Sequence, residues 1–457
     1  MRRVFLIIAI LLLPIVPIVL VVTGALHPKP KTVTPVHLTV WGTVDADKAF
    51  KTVLAKYAKN HSYVTVEYIQ VRPEDYFQQL VTAWAQGTGP DLYFVPNSWV
   101  GQMTQYASPL PPDLSIPVIV RTKGLFGISQ NISTPKNLAP ALATLQNRFV
   151  DVVMNDVNVD GRVWGLPLSM DTIVLYYNKD LLNAAKIFQP AKTWQELVGQ
   201  VGGNHLTVTD EKNNLVHSGV ALGTANNVPY ASDILTLLMM QNGATMTTPD
   251  HHVNFDSPPG LDAVNFYTSF ALSSKATYSW SESQPNAIDA FLQGKVAYFF
   301  GTLQDRATIS AGSLNWAVTP MLHLSASGDN DVSSGGQATI DPARYQVAMV
   351  SKASQLTGKS VYAWNLLNFL SQDQNVVSYL QDTGHLAATR AILNQQKDDL
   401  TLGVYANQLL TARSWYHGKN GAQIDDYFSA MITSVINGKS SPDDALHLVA
   451  KQVESTL

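Results

Sequence analysis

The first clear pattern along the chain is a strict alternation. Residues 37–41, His-Leu-Thr-Val-Trp, place apolar side chains two apart, and that period predicts a half-buried strand. Gly42 to Val44 read as a turn. Ala46, Ala49, Phe50, Val53, Leu54 and Tyr57 then recur at helical spacing. A second β-rich run occupies 63–69. Pro73 opens a helix with Phe77, Leu80, Val81 and Trp84 on one face, and Gly87-Thr88-Gly89-Pro90 ends it. Asp91 to Val95 is a short apolar strand. Strand–helix–strand–helix–strand order predicts a parallel α/β sheet with right-handed crossovers.

The middle of the chain repeats this style. Val163 to Pro167 is extended, and Thr172 to Asn178 is a strand of near-continuous apolar character. In Thr193-Trp194-Gln195-Glu196 the threonine hydroxyl can take the amide three residues on while Glu196 reaches back, a capping box. Helices are expected at Ser232 to Gln241, closed by Gly243, at Leu261 to Phe270, and at Ile288 to Gln293, stopped by Gly294. Strands are expected at Val296 to Phe300, Trp316 to Thr319 and Tyr345 to Val350. Beyond residue 358 the pattern is nearly all helical. It ends on Ser441-Pro442-Asp443-Asp444, a capping serine followed by proline at the first helical position. Residues 325–336, rich in Ser, Gly and Asp, read as a surface loop or crossover.

Ahead of these elements, Arg2-Arg3 precede an uncharged apolar run from Val4 to Leu26, long enough to span a bilayer as a helix. Two readings stand: an uncleaved transmembrane anchor over 1–26, or a secretory signal cleaved near Thr23-Gly24-Ala25. Both place the rest of the chain outside the cytoplasm. Residues 27–35 read as a proline-stiffened tether.

Composition changes the picture in two ways. Charged residues are only 14% of the 457, and the net charge is −4, so no basic field exists to hold nucleic-acid phosphates. The chain has no cysteine, which removes disulfides, thiolate metal sites and lipid attachment through an N-terminal cysteine.

Catalytic and metal signatures are missing: there is no G-x-S-x-G elbow, no H-E-x-x-H and no P-loop. His251-His252 lies in a polar turn and reads as solvated. Asp398-Asp399 and Asp425-Asp426 read as solvated faces near helix starts. No cofactor and no metal are expected. What remains is a set of aromatics in turns: Trp41, Trp99, Trp164, Tyr230, Trp280 and Trp415. Most such residues plug a core. Several on loops after strands would instead suit stacking on the C–H faces of sugar rings, because ligands of open α/β sheets bind beyond the carboxyl ends of strands.

An ordered set of segments carries a family resemblance. Gly87-Thr88-Gly89-Pro90-Asp91-Leu92, Asp160-Gly161-Arg162-Val163-Trp164-Gly165-Leu166-Pro167 and Leu175-Tyr176-Tyr177-Asn178-Lys179-Asp180-Leu181-Leu182 are the first three. Thr193-Trp194-Gln195-Glu196-Leu197, Phe291-Leu292-Gln293-Gly294-Lys295-Val296-Ala297 and residues 437–446 follow. In this order they resemble the motifs of extracellular solute-binding proteins of family 1, the sugar-binding subunits of ABC importers related to maltose-binding protein.

The resemblance implies an α/β, two-lobed, periplasmic-binding-protein-like (class II) fold with a hinge. Lobe 1 is expected at 36–150 and 330–378, and lobe 2 at 151–329 and 379–457. It implies a sugar or oligosaccharide ligand, ABC permease subunits as partners, attachment to the cell membrane through the N-terminal segment, a monomer, and binding without catalysis. The ligand-binding positions it implies are Trp41, Thr43 and Asp45 after the first strand, Asn97, Ser98 and Trp99 after the third, Asp171 as a sugar-hydroxyl acceptor, Tyr230 as a stacking aromatic, and Tyr427 as the late aromatic of the second lobe. Phe300-Gly301-Thr302-Leu303 departs from relatives that carry tryptophan there. Two other readings are a surface-anchored glycan-binding or adhesion protein without a dedicated transporter, and a hydrolase using Asp171 with another acid.

Overall fold

The computed structural model describes residues 32–43, 47–124, 127–203, 206–212, 214–324 and 339–457. Residues 1–26, expected as an anchor or signal, most of the expected tether, Asp45 and residues 325–336 lie outside the described residues. Among the described residues no helix is long and apolar enough to cross a membrane.

Ten strands build two sheets: β1 (Val36–Gly42), β2 (Val64–Gln70), β3 (Leu92–Pro96), β4 (Gly165–Leu166), β5 (Val174–Asn178), β6 (Val208–Thr209), β7 (Leu215–Val220), β8 (Val296–Gly301), β9 (Trp316–Thr319) and β10 (Gln346–Val350). The first sheet has the order β2-β1-β3-β10-β4 and the second β6-β7-β8-β5-β9. β1 pairs in parallel with β2 and β3, as strand–helix alternation requires. The helices Asp47–Tyr57 and Tyr76–Ala85 are the two crossovers. Both sheets are mixed: in the first, β10 runs antiparallel to both β3 and β4. In the second, β5 runs antiparallel to both β8 and β9, and only β7 and β8 are parallel.

The buried side chains of both sheets belong to one continuous core. β3, β8 and β10 are buried along almost their whole length, which explains their unbroken apolar sequences. Asp91, in the Gly-Pro-Asp segment, stitches the first sheet to the helix beside it. Its Oδ2 accepts the Thr39 N–H at 3.0 Å, and its Oδ1 accepts the Ser354 hydroxyl at 2.6 Å. The Lys359 ammonium stands 3.4 Å away.

Caps behave as their sequences indicate, with one shift. The Ser441 hydroxyl accepts the Asp444 N–H at 3.1 Å, and Thr193 accepts the Glu196 N–H at 3.1 Å. The Glu196 carboxylate, however, takes the Lys192 N–H at 2.7 Å, one residue before the cap, where the chain bridges to His323. The hairpin Val118–Gly124/Gly127–Ser133 has no counterpart in the sequence expectation. Its connecting sequence lacks the Asn-Gly or Asp-Gly pair that marks tight hairpins.

The chain passes between the sheets in two adjacent segments. Asp171 and Arg344 form an antiparallel bridge, exchanging backbone bonds of 2.8 and 3.0 Å. β4 pairs with β10 in the first sheet, and Leu386–Ala387 pairs with Ser169–Met170. β4 stands on the lobe 2 side of the expected boundaries, yet hydrogen bonding ties it to the first sheet, while Leu386–Ala387 pairs with the segment just after β4. By Gln408 the chain has returned to the second: its Nε2 donates to the Ile173 carbonyl at 2.9 Å.

Candidate ligand cleft

A cleft of about 480 Å³ opens between the two sheets. That lies within the range of small-molecule sites. One wall comes from the end of β3 and the turn after it, the other from the start of the helix Ala231–Gln241, the turn after β8 and residues 413–428. The two crossing segments form the floor.

Of the residues singled out from sequence, Thr43, Asn97, Ser98, Trp99, Asp171 and Tyr230 line this cleft. Trp41 and Tyr427 do not. Trp41 lies within β1, not beyond its end, and packs half-buried against the core. Tyr427 gives its hydroxyl to Gln423 at 2.7 Å, while the next residue, Phe428, lines the cleft. Neighbouring positions on a helix point roughly 100° apart, so a one-residue offset in alignment exchanges inside for outside.

Trp99 is held edge-on to Phe77, with ring centroids 6.0 Å apart. Asn97 is buried and structurally committed: its Nδ2 donates to Asp156 Oδ2 at 2.9 Å. Asp156 is a hub. It also accepts the Tyr345 hydroxyl at 2.5 Å, the Ser414 hydroxyl, and His417 Nε2 at 3.0 Å. Burial disfavours a charged His417, yet the Asp156 hydrogen bond and charge outweigh it and raise its pKa.

Asp171 is buried on the floor. Its Oδ1 accepts the N–H groups of Thr172 (2.8 Å) and Leu303 (3.1 Å), and its Oδ2 accepts that of Gln304 at 3.4 Å. Burial pushes its carboxyl up to about 7 despite those three donors. The long Gln304 bond leaves Oδ2 the less committed oxygen.

Tyr230 adopts a left-handed backbone conformation, φ 60°, at the start of its helix. This turn aims the phenol across the second wall, where its hydroxyl donates to Asp305 at 3.2 Å. The Arg344 guanidinium lies 4.9 Å from the Tyr230 ring centre and binds Asp233 at 2.5 Å. The charge of Asp233 is the main cause holding the Arg344 pKa up, while burial pushes the Asp233 carboxyl up. Asp425 accepts the Ser232 hydroxyl at 2.6 Å and is otherwise open to the cleft.

Sequence reasoning missed several lining residues. Trp415 stood among the turn aromatics but was not chosen. It packs edge-on against Phe255 and Phe428, both at 5.9 Å, which fixes its ring in the wall. Asp425 belongs to a pair read as solvated. Arg344 and Asp233 carry no motif at all. Gln346 also lines the cleft, and its Oε1 is buried without a partner. Trp280 and Trp164 are core residues, each with its indole N–H hydrogen-bonded internally. Among the described residues no group of three or more His, Asp or Glu could hold a metal ion.

Comparison with known proteins gives one consistent answer. Residues 52–401 match the model of the bacterial extracellular solute-binding protein family. The maltodextrin-binding protein MdxE of Bacillus subtilis is 24% identical over 322 residues, 67% of this chain and 70% of that one. The galactooligosaccharide-binding protein of the same species is 20% identical, covering 92% and 89%. The structure of the cyclic alpha-maltosyl-1,6-maltose binding protein of Arthrobacter globiformis superposes with a TM-score of 0.68 at 19% identity, over 92% of this chain and 98% of that one. These likenesses establish the two-lobed α/β fold of binding proteins. With its family model spanning most of the described chain, the protein belongs to the bacterial extracellular solute-binding proteins.

Proposed function

We propose that this chain is the substrate-binding component of an ABC importer, taking a neutral sugar or short oligosaccharide in the interlobe cleft and handing it to a membrane permease. The observation that carries the reading is the make-up of the walls. Trp99, Tyr230 and Trp415 offer aromatic faces at three places, separated by hydroxyl, amide and carboxylate groups. Sugar rings need that alternation, with C–H faces on the aromatics and hydroxyls on the polar groups. Arg344 is neutralised by Asp233, so the cleft holds no strong uncompensated charge there for an anionic ligand.

Binding needs no turnover. A ligand that touches Ser98 and Trp99 on one wall and Tyr230, Trp415 and Asp425 on the other makes its full contacts only in the closed state. It therefore shifts the open–closed equilibrium. Lobe 1 in this reading comprises roughly 36–166 and 345–397, lobe 2 roughly 172–343 and 400–457. The chain acts as a monomer on the outer face of the cell membrane, held by the Val4–Leu26 segment beside its permease. The match to the bacterial extracellular solute-binding proteins favours transport over adhesion. Native mass spectrometry of gently purified protein tests the ligand class. At least one bound neutral saccharide per chain is expected, and co-purification of a peptide or phosphate compound alone would contradict it.

A further inference from the structure

A second groove, sharing no lining residue with the cleft, lies on the first lobe and encloses about 330 Å³. It forms where the chain leaves for the Val118–Ser133 hairpin and returns from it. Its floor is one stripe of the helix Ser360–Leu370 and the turn beyond: Asn365, Asn368, Phe369 and Gln372, at helical spacing. Three carboxamides on one stripe beside an aromatic ring are unusual for a buried helix face.

Asn365 is spent internally, between the Tyr57 hydroxyl at 3.0 Å and the Leu114 carbonyl at 2.8 Å. Asn368 is not. It is only 8% exposed, its Oδ1 has no partner, and no protein group takes its Nδ2 among the described residues. A buried amide oxygen without a partner is costly, so a ligand that donates to it is favoured. His61 supplies a complementary group. Its Nδ1 stands 3.1 Å from the Pro117 carbonyl and must donate there, which leaves a lone pair on Nε2 when the ring is neutral. Burial lowers the His61 pKa and favours that neutral form. No carboxylate lines the groove, and its one cation, Lys136, is exposed at the rim.

We propose that this groove is a second carbohydrate site, distinct from the transport cleft, taking a neutral mono- or disaccharide. Amide oxygen and nitrogen together match the donor-and-acceptor character of adjacent hydroxyls, and Phe369 offers an apolar surface for the ring. A bare anion is disfavoured by the lone pairs of Asn368 and His61, and a cation lacks any acid to meet it. The site stands whatever the cleft transports.

Native mass spectrometry with maltose as the probe counts occupants directly on the full chain. The wild type is expected to bind a maltose that is weakened about tenfold by Asn368→Leu, with any cleft-bound maltose unchanged. Asn137→Ala, an exposed rim change, should weaken the same molecule even if the Asn368 variant folds poorly. Two results would overturn the proposal: no maltose beyond a cleft-bound one, leaving a hydrated groove only, or a second maltose equally retained in both variants.

Discussion

Asp171 holds the floor of the cleft and the turn after β8 through one carboxyl group. Three backbone N–H groups favour its ionised form, and burial disfavours it more strongly. The folded carboxyl is therefore raised from its ordinary value of 3.8 to about 7. Between those two values the folded chain holds a proton that the unfolded chain has released. Its contribution to stability is full below about 4 and is lost as pH rises towards 7, by at most about 4 kcal/mol. Asp171→Asn removes that titration. Urea unfolding across this range should show a flatter pH dependence in the variant, and parallel curves would contradict the assignment. Asp171, just ahead of a motif strand, and Tyr230, beside a proline turn, were named through the resemblance, and both line the cleft. Arg344 and Asp233 were not named, since their pairing depends on where two distant segments cross.

Elements were easier to read than sites. Alternation and helical spacing located most long strands and helices within a few residues, because each buries one face against a single core. Sheet direction was legible only for β1, β2 and β3; β10 in the first sheet and β5 in the second each pair antiparallel on both sides. Some conspicuous motifs prove architectural. Asp91 joins β1, β3 and the Lys352–Leu356 helix region through Thr39, Ser354 and Lys359, and it does not line the cleft. Asp91→Asn keeps the shape but replaces an acceptor with a donor that faces the Thr39 N–H or the Ser354 hydroxyl. It should destabilise the fold by about 2 kcal/mol while leaving sugar affinity within about twofold. Chemical denaturation and calorimetric titration together check this, and a large loss of affinity in a stable variant would move Asp91 into the binding site.

At the scale of the molecule, two lobes meet along a seam beside the cleft. Gly421, at the start of the helix Gly421–Ile436, approaches Ser98 so closely that a Cβ would run into the Ser98 carbonyl oxygen. Gly101 faces the His417 carbonyl in the same way. Asp156 latches this seam by binding Asn97, Tyr345, Ser414 and His417 at once. Alanine favours helix over glycine, so Gly421→Ala should not weaken its helix. Its effect should be steric: the lobes part and ligand affinity falls about tenfold or more, read by titration. Unchanged affinity would show that the seam does not control closure.

The central claim is that a neutral saccharide brings the two lobes together. Small-angle X-ray scattering of the purified protein, alone and with a panel of neutral oligosaccharides, tests it most directly. The radius of gyration should fall, saturably, with at least one member of the panel. No compaction with any carbohydrate, or compaction only with a charged solute, would contradict the account.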